Sequence, residues 1–389
     1  MYKEVLPISC SIIRGGTSKG IYLMENDLPQ DKKMRDKIIL SIFGSPDVRQ
    51  IDGLGGADTL TSKVAIIGPS TREDADIDYT FGQVSMTAEF VDYKGNCGNI
   101  SAGVGAFAID KGLIKAEEPI TKVRIHLTNT DNIVIAEIPA KNGKASVEGD
   151  FEIDGVPGTG AKVVLDWADT QGAITGKLLP TGNVKDRISA NGREYTVSIV
   201  DIANPLVFIK AQELGIKGTE TPEEIDENKD LLKLIEEIRG KCAEKINMIS
   251  DYKESKEKSP YIPFFAIVSE PYSHKTFNGK NIKKEDIDIV SRLLFMQKMH
   301  KAYPGTGTIC TGVACRINGT IVNDISKNTI ENKDIIRIGH PSGIIETEAE
   351  IECNKNKINV NSAKVYRTAR LIMEGKVYIR QSLLNKLDE

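Results

Sequence analysis

Two segments of this chain are small and apolar on every side: Ser101-Ala-Gly-Val-Gly-Ala-Phe-Ala-Ile-Asp110 and Ile309-Cys-Thr-Gly-Val-Ala-Cys315. A helix with no polar face is satisfied only inside a protein, so other structure must wrap around each of them. Each also follows a glycine-rich loop. Laying Cys97-Gly-Asn-Ile-Ser-Ala-Gly-Val over Pro304-Gly-Thr-Gly-Thr-Ile-Cys-Thr gives two such loops running into two buried helices, which is the mark of an internal pseudo-repeat.

The flanking sequence is strand-like. Short β-branched or alternating runs bounded by Gly, Asn and Asp predict strands at Ile8–Ile13, Val64–Ile67, Val84–Phe90, Val123–Leu127, Ile133–Ile138 and Ala145–Glu148. In the second half they recur at Val197–Val200, Leu206–Lys210, Phe264–Val268 and Ile335–Ile338. The expected class is α+β, and 389 residues suit two domains. The turn-rich Leu179-Pro-Thr-Gly-Asn183 places their boundary within Asn183–Glu194, giving units 1–188 and 189–370 and a tail, 371–389, free to return to the first. Charged Lys217–Lys258 predicts a solvated outer helix, entered at Thr221-Pro-Glu-Glu224 through a cap, an N1 proline and an acidic first turn. A second amphipathic helix is predicted over Lys284–Lys301.

Several function classes are disfavoured. A net charge of −4 with interspersed lysines and glutamates argues against a nucleic-acid face. No apolar run reaches membrane-helix length, and Met1-Tyr-Lys-Glu4 does not open a secretory signal, so a cytoplasmic protein is expected. Six scattered cysteines without a CxxC pair read as free thiols. The four histidines, His126, His274, His300 and His340, lack metal-ligand spacing, which disfavours a zinc site and histidine-based catalysis. Gly172-Ala-Ile-Thr-Gly-Lys177 is one residue short of a phosphate loop.

The chemistry concentrates in the loops. In Gly95-Asn-Cys-Gly-Asn-Ile-Ser101, backbone N–H groups at a helix start converge on one spot and form an anion nest. Cys97 there sits at the positive end of a helix dipole, which favours its thiolate. Pro304-Gly-Thr-Gly-Thr308 offers the same donors from the other half, so two facing helix N-termini would hold two carboxylates of one small molecule. Lys63 heads the apolar strand Val64–Ile67; from the residues alone it is either a solvated strand-end lysine or a desolvated base with a lowered pKa. Gly339-His-Pro-Ser-Gly343 reads equally as a tight turn or as a source of donors.

Arg14-Gly-Gly-Thr-Ser-Lys-Gly20, Asp52-Gly-Leu-Gly-Gly-Ala-Asp58 running to Thr61-Ser-Lys63, Gly95-Asn-Cys-Gly-Asn99, Gly158-Thr-Gly160, Gly176-Lys-Leu-Leu-Pro-Thr-Gly-Asn183, Gly339-His-Pro-Ser-Gly343 and Arg367-Thr-Ala-Arg370 follow one another along nearly the whole chain. Together they resemble the methylaconitate isomerase family, which includes methylitaconate isomerases and oxalomesaconate tautomerases. The resemblance implies a diaminopimelate epimerase-like fold of two pseudo-symmetric domains, each a mostly antiparallel sheet around a central helix. It also implies Lys63 and Cys97 as catalytic residues. Candidate substrate-binding residues are then Arg14, Thr17, Ser18, Asn96, Gly98, Asn99, Ser101, Gly305, Thr306, Gly307, Thr308, His340 and Ser342.

Diaminopimelate epimerases carry a second cysteine where this chain has Pro304, with Cys310 six residues on. That departure favours an allylic proton shift in a small unsaturated polycarboxylate over an amino-acid epimerase or racemase. A polycarboxylate-binding accessory protein is the non-enzymatic alternative. The expected reaction needs no cofactor or metal, and a homo-oligomer is the default for such an enzyme.

Overall fold

The computed structural model describes residues 4–354 and 357–382. Fourteen strands carry the architecture. They are β1 (Val5–Gly15), β2 (Ser18–Met24), β3 (Lys63–Pro69), β4 (Ile77–Val84), β5 (Ile120–Leu127), β6 (Asn132–Lys141) and β7 (Val163–Asp166), then β8 (Arg193–Ile202), β9 (Asn204–Lys210), β10 (Phe264–Ser269), β11 (Ile289–Phe295), β12 (Ile335–His340), β13 (Gly343–Asn354) and β14 (Lys357–Arg367).

Strands β7 and β14 pair antiparallel, and the sheet runs outward from that junction in both directions. From β7 through β6, β5, β4, β3 and β2 to β1, the successive pairings are antiparallel, antiparallel, parallel, antiparallel, parallel and antiparallel. From β14 through β13, β12, β11, β10 and β9 to β8 the senses are the same, in the same order. Each strand of the first half therefore corresponds to the strand seven places later, and the protein is a pseudo-symmetric, sheet-dominated α+β fold. A fifteenth strand, β15 (Ala369–Arg380), lies antiparallel along β1. Residues 383–389 of the 371–389 tail lie outside the described residues.

The helices obey the repeat as well. Helix α1 (Lys32–Phe43) joins β2 to β3, and α4 (Lys229–Lys245), preceded by the short α3 (Pro222–Glu227), joins β9 to β10. A capping box, with Thr221 and Glu224 bonding reciprocally, starts α3 at the predicted place. The two apolar segments become the central helices. The first is a 3-10 turn at Ile100–Gly103 continuing into α2 (Val104–Asp110); the second is α5 (Gly305–Arg316), buried over its first eleven residues. Small residues are required there: a Cβ on Gly105 would lie 2.7 Å from the Ile138 side chain, and one on Gly312 would lie 2.7 Å from that of Thr347.

Three local expectations are corrected. Lys284–Lys301 is not a helix: after a 3-10 turn at Lys284–Asp286 it forms β11, buried at every position between β10 and β12. Asp288, Ser291 and Arg292 have the spacing of a helix's polar face, but all three are buried and bonded: Asp288 to Lys333, Ser291 to Tyr303, and Arg292 to the Glu220 carbonyl. Of Val84–Phe90, only Val84 is in a strand, as the last residue of β4. Asp78 within β4 is taken up by Thr71 and His126, and after Val84 Ser85 caps a turn by accepting from Ala88 N–H. Of Ala145–Glu148, only Ala145 is in a strand.

Among the described residues no helix is long and apolar enough to cross a membrane, and no three His, Cys, Asp or Glu side chains stand together as a metal site.

Candidate active site

The two glycine-rich loops meet backbone to backbone. A Cβ on Gly98 would lie 2.8 Å from the Thr306 nitrogen, and one on Gly305 would lie 2.7 Å from the Gly98 carbonyl carbon. Only glycine permits that approach. Asn204, at the head of β9, ties the loops together: its Oδ1 accepts from Asn96 N–H (2.8 Å), and its Nδ2 donates to the Asn96 carbonyl (2.8 Å) and to Thr306 Oγ1 (3.0 Å). Tyr261 adds a hydroxyl bond to the same Asn96 carbonyl. The N-termini of both central helices thus converge, and the N–H groups there favour negative charge.

Beside that contact is a small cavity of about 10 Å³, which has room for roughly one water centre. Lys63, Cys97, Gly98, His300, Gly305 and Thr306 are among its walls, with Ser18, Asn99 and Pro304. Lys63 is 3% exposed, so the reading of a solvated strand-end lysine is overturned. Its amine donates to Gln83 Oε1 at 2.6 Å, and Gln83 is held in that orientation by its own Nε2 bonds to the Thr59 and Ser62 carbonyls. The rings of Phe81, Tyr261 and Phe295 stand 5.4 to 5.8 Å from the amine. Among the described residues no carboxylate pairs with it. Burial holds the Lys63 pKa below the ordinary lysine value, while Cys97 and Asp58 pull it back up.

The remaining candidates divide. Asn99 is a hub whose Nδ2 donates to Thr17 Oγ1 (3.1 Å) and Ser18 Oγ (3.3 Å); of the two, Ser18 lines the cavity. His340 and Thr17 line a separate, larger cleft of about 360 Å³. Ser342 lines a groove next to it, with its hydroxyl on the Lys301 carbonyl.

Arg14, Asn96, Ser101, Gly307 and Thr308 do not line the small cavity. Arg14 donates to the Thr368 carbonyl and hydroxyl. The glycines after it serve packing, because a Cβ on Gly15 would lie 2.5 Å from the Asn99 carbonyl oxygen. Asn96 faces Thr130 and the Ala203 carbonyl. Ser101 bonds back to the Cys97 carbonyl, Thr308 bonds back to that of Pro304, and Gly307 packs on Leu293.

The PrpF protein family model matches residues 5–380. The chain belongs to that family. It is 56% identical to the 3-methylitaconate isomerase of Eubacterium barkeri over 98% of this chain and 99% of the relative. It is 37% identical to the 4-oxalomesaconate tautomerase of Pseudomonas putida, over 96% of each chain. A solved methylitaconate-delta-isomerase superimposes with a TM-score of 0.81 at 55% identity, covering 98% of both chains. A hydroxyproline epimerase from Agrobacterium vitis aligns with a TM-score of 0.56 at 11% identity, over 98% of this chain and 94% of that one, which is a likeness of fold alone. This PrpF protein is an isomerase.

Two buried groups at the site are absent from the expected set. His300 lines the cavity with Lys63; its Nδ1 accepts Ala302 N–H at 3.0 Å, so any proton on the neutral ring is on Nε2. Burial, reinforced by the Lys63 charge, pushes its pKa down to about 3. Metal-ligand spacing does not single out His300. Arg367, 1% exposed, donates from Nε to Asn99 Oδ1 (2.9 Å) and from Nη1 to the Tyr366 carbonyl (2.8 Å). The sequence does carry a signal for it, since Ala363, Val365 and Arg367 alternate onto the buried face of β14.

Proposed function

We propose that this PrpF protein is an isomerase of a small unsaturated dicarboxylate of the 3-methylitaconate type, with Lys63 and Cys97 as its acid/base pair. The observation that carries the reading is the buried Lys63 amine, which has a lowered pKa and only a neutral Gln83 partner, in one cavity with Cys97.

An allylic shift is redox-neutral. Neutral Lys63 takes the proton from the saturated carbon next to the conjugated system. The released electron pair forms the new double bond, the old one opens toward the terminal methylene, and that carbon receives a proton from Lys63 or Cys97 to become a methyl group. In between, negative charge spreads onto a carboxylate. N–H donors preorganised at Gly98, Asn99, Gly305 and Thr306 lower the cost of that charge, and each such donor is worth about 3 kcal/mol in acyl-transfer enzymes. Pro304, which lines the cavity with Cys97, supplies no second thiol, so inversion at a single carbon by two opposed cysteines is not favoured. His300 adds a neutral donor rather than a base. We place residues 1–188 and 189–370 as the two units between which the substrate is held. A cytoplasmic homo-oligomer remains our expectation.

The test is isomerisation of 3-methylitaconate in D2O by wild type, Lys63→Ala and Cys97→Ser. Wild type should put deuterium into the new methyl group, and Lys63→Ala should lose about 10²- to 10⁴-fold in rate, the range general-base removal gives. Full activity in folded Lys63→Ala overturns the mechanism.

A further inference from the structure

Arg367 is a buried cation without an anion. It forms no ion pair among the described residues, and its Nη2, fully enclosed, has no hydrogen-bond partner. A guanidinium taken out of water costs several kcal/mol unless a charge and hydrogen bonds compensate it. Here the protein supplies two neutral acceptors, Asn99 Oδ1 and the Tyr366 carbonyl, and leaves one arm of the fork without a partner. Burial lowers its pKa to about 9, which still leaves it charged at neutral pH.

Its position gives the unpaired arm a purpose. Arg367 lines the 360 Å³ cleft, whose innermost walls also include Tyr303 and His340, 0% and 1% exposed. The acidic residues of that cleft are on its outer side: Glu152 and Asp286 are exposed and Glu346 half-buried, while Asp154 is spent on Lys280 and on Ile344 N–H. Through Asn99, which neighbours Cys97 at the loop, Arg367 also touches the wall of the Lys63 cavity. The helix N-termini and Arg367 are thus two separate anion-seeking points with Lys63 and Cys97 beside them.

We infer that Arg367 is the receptor for a second carboxylate of the substrate, at the inner end of the cleft, and so restricts the enzyme to dicarboxylates and larger polycarboxylates. This deepens the isomerase reading and rests on it. One carboxylate lies at Gly98 and Gly305, where charge develops; the other is anchored by Arg367 and takes no part in bond making. Asn99 is the positioning residue, fixing the guanidinium plane by accepting from its Nε.

Binding of methylsuccinate, a saturated dicarboxylate that cannot isomerise, separates the two ideas. Calorimetry on wild type should show the diacid held much more tightly than either of its monomethyl esters. Arg367→Gln should weaken the diacid by about 10- to 100-fold, the range for losing a hydrogen bond to a charged group, and leave the better monoester unchanged. Arg367→Lys should fall between them, because it keeps the charge and loses the fork. A structural role alone would not move the diacid-to-monoester ratio. Should Arg367→Gln not fold, Arg367→Lys and the wild-type ratio decide. Equal binding of diacid and monoesters by wild type, or an unaltered ratio in folded Arg367 variants, overturns the proposal. Diacid binding that depends on Arg367 without turnover of any substrate supports the carboxylate site and overturns the isomerase reading instead.

Discussion

Gly98 and Gly305 stand in direct backbone contact, each at the position where its half of the pseudo-repeat turns from loop into central helix. They are equivalent in the overlay of the two loops, so the site is centred on the line that relates the halves. The proposed catalytic residues are nonetheless supplied asymmetrically. Lys63 heads β3, whereas its counterpart β10 begins with Phe264, and Cys97 is matched by Pro304. Duplication provides the paired helix N-termini; divergence leaves one candidate acid/base set.

Adding a methyl group at either contact should separate the loops. Gly98→Ala and Gly305→Ala place a Cβ under 3 Å from opposing backbone, which cannot rotate away as a side chain does. Overpacking of this kind costs about 1–3 kcal/mol, so thermal denaturation should show a lower Tm. Activity should fall further than stability, because the N–H groups move away from the proposed carboxylate position. Gly375→Ala is the control, since the nearest atom to its Cβ would be the Met373 sulfur at 3.4 Å. Wild-type kcat in both loop variants would show that the contact does not shape the site.

Gln83 sets the charge of Lys63. A neutral amide at 2.6 Å leaves desolvation as the dominant influence on the amine. Gln83→Glu replaces it with a carboxylate of the same size, and an opposite charge at that distance shifts a pKa by about 1–3 units toward the charged form. The rising limb of kcat/KM against pH should move to higher pH by that order, with activity at neutral pH reduced. An unmoved limb would mean that Lys63 is not the group the limb reports.

The wild-type profile itself has a defined shape. A lysine with its pKa lowered by burial gains its neutral, proton-accepting form as pH rises, so kcat/KM should climb through a value below the ordinary 10.5. His300, at about 3, is neutral throughout the working range and should add no inflection at pH 6–7. His300→Gln should lower the rate without changing the shape. A histidine-like inflection lost in that variant would make His300 an acid/base residue in place of a neutral donor.

The legible part of the fold is its interior. Segments apolar on all sides can only be central helices, and glycine-rich entrances mark where their N-termini lie. Lys284–Lys301 reads as a helix because Asp288, Ser291 and Arg292 imitate a solvated helical face, and only their partners Lys333, Tyr303 and the Glu220 carbonyl, all outside the segment, allow a strand to bury them. At the site, sequence context and resemblance mark Lys63 and Cys97. Arg14 enters the candidate set through the resemblance, yet it bonds Thr368 and the glycines after it serve a close approach to Asn99. Arg367 escapes a sequence reading although the period of β14 turns it inward, since burial of an unpaired arginine is a fact of the tertiary structure.

Asn204 gives the last test, because it holds the two nests in register with three hydrogen bonds. Asn204→Asp is nearly isosteric. It keeps the acceptor for Asn96 N–H, loses both donors, and sets a carboxylate against the Asn96 carbonyl and Thr306 Oγ1. Losing the amide's donor bonds costs about 0.5–1.5 kcal/mol each. A negative charge beside the helix N-termini also competes with the substrate for their field. The variant should therefore lose stability and, separately, show a raised KM that improves as pH falls and the new carboxyl is protonated, whereas Asn204→Ala should lose stability with a KM independent of that titration. Identical pH dependence of KM in the two variants would remove the electrostatic part of this account and leave Asn204 as a packing residue.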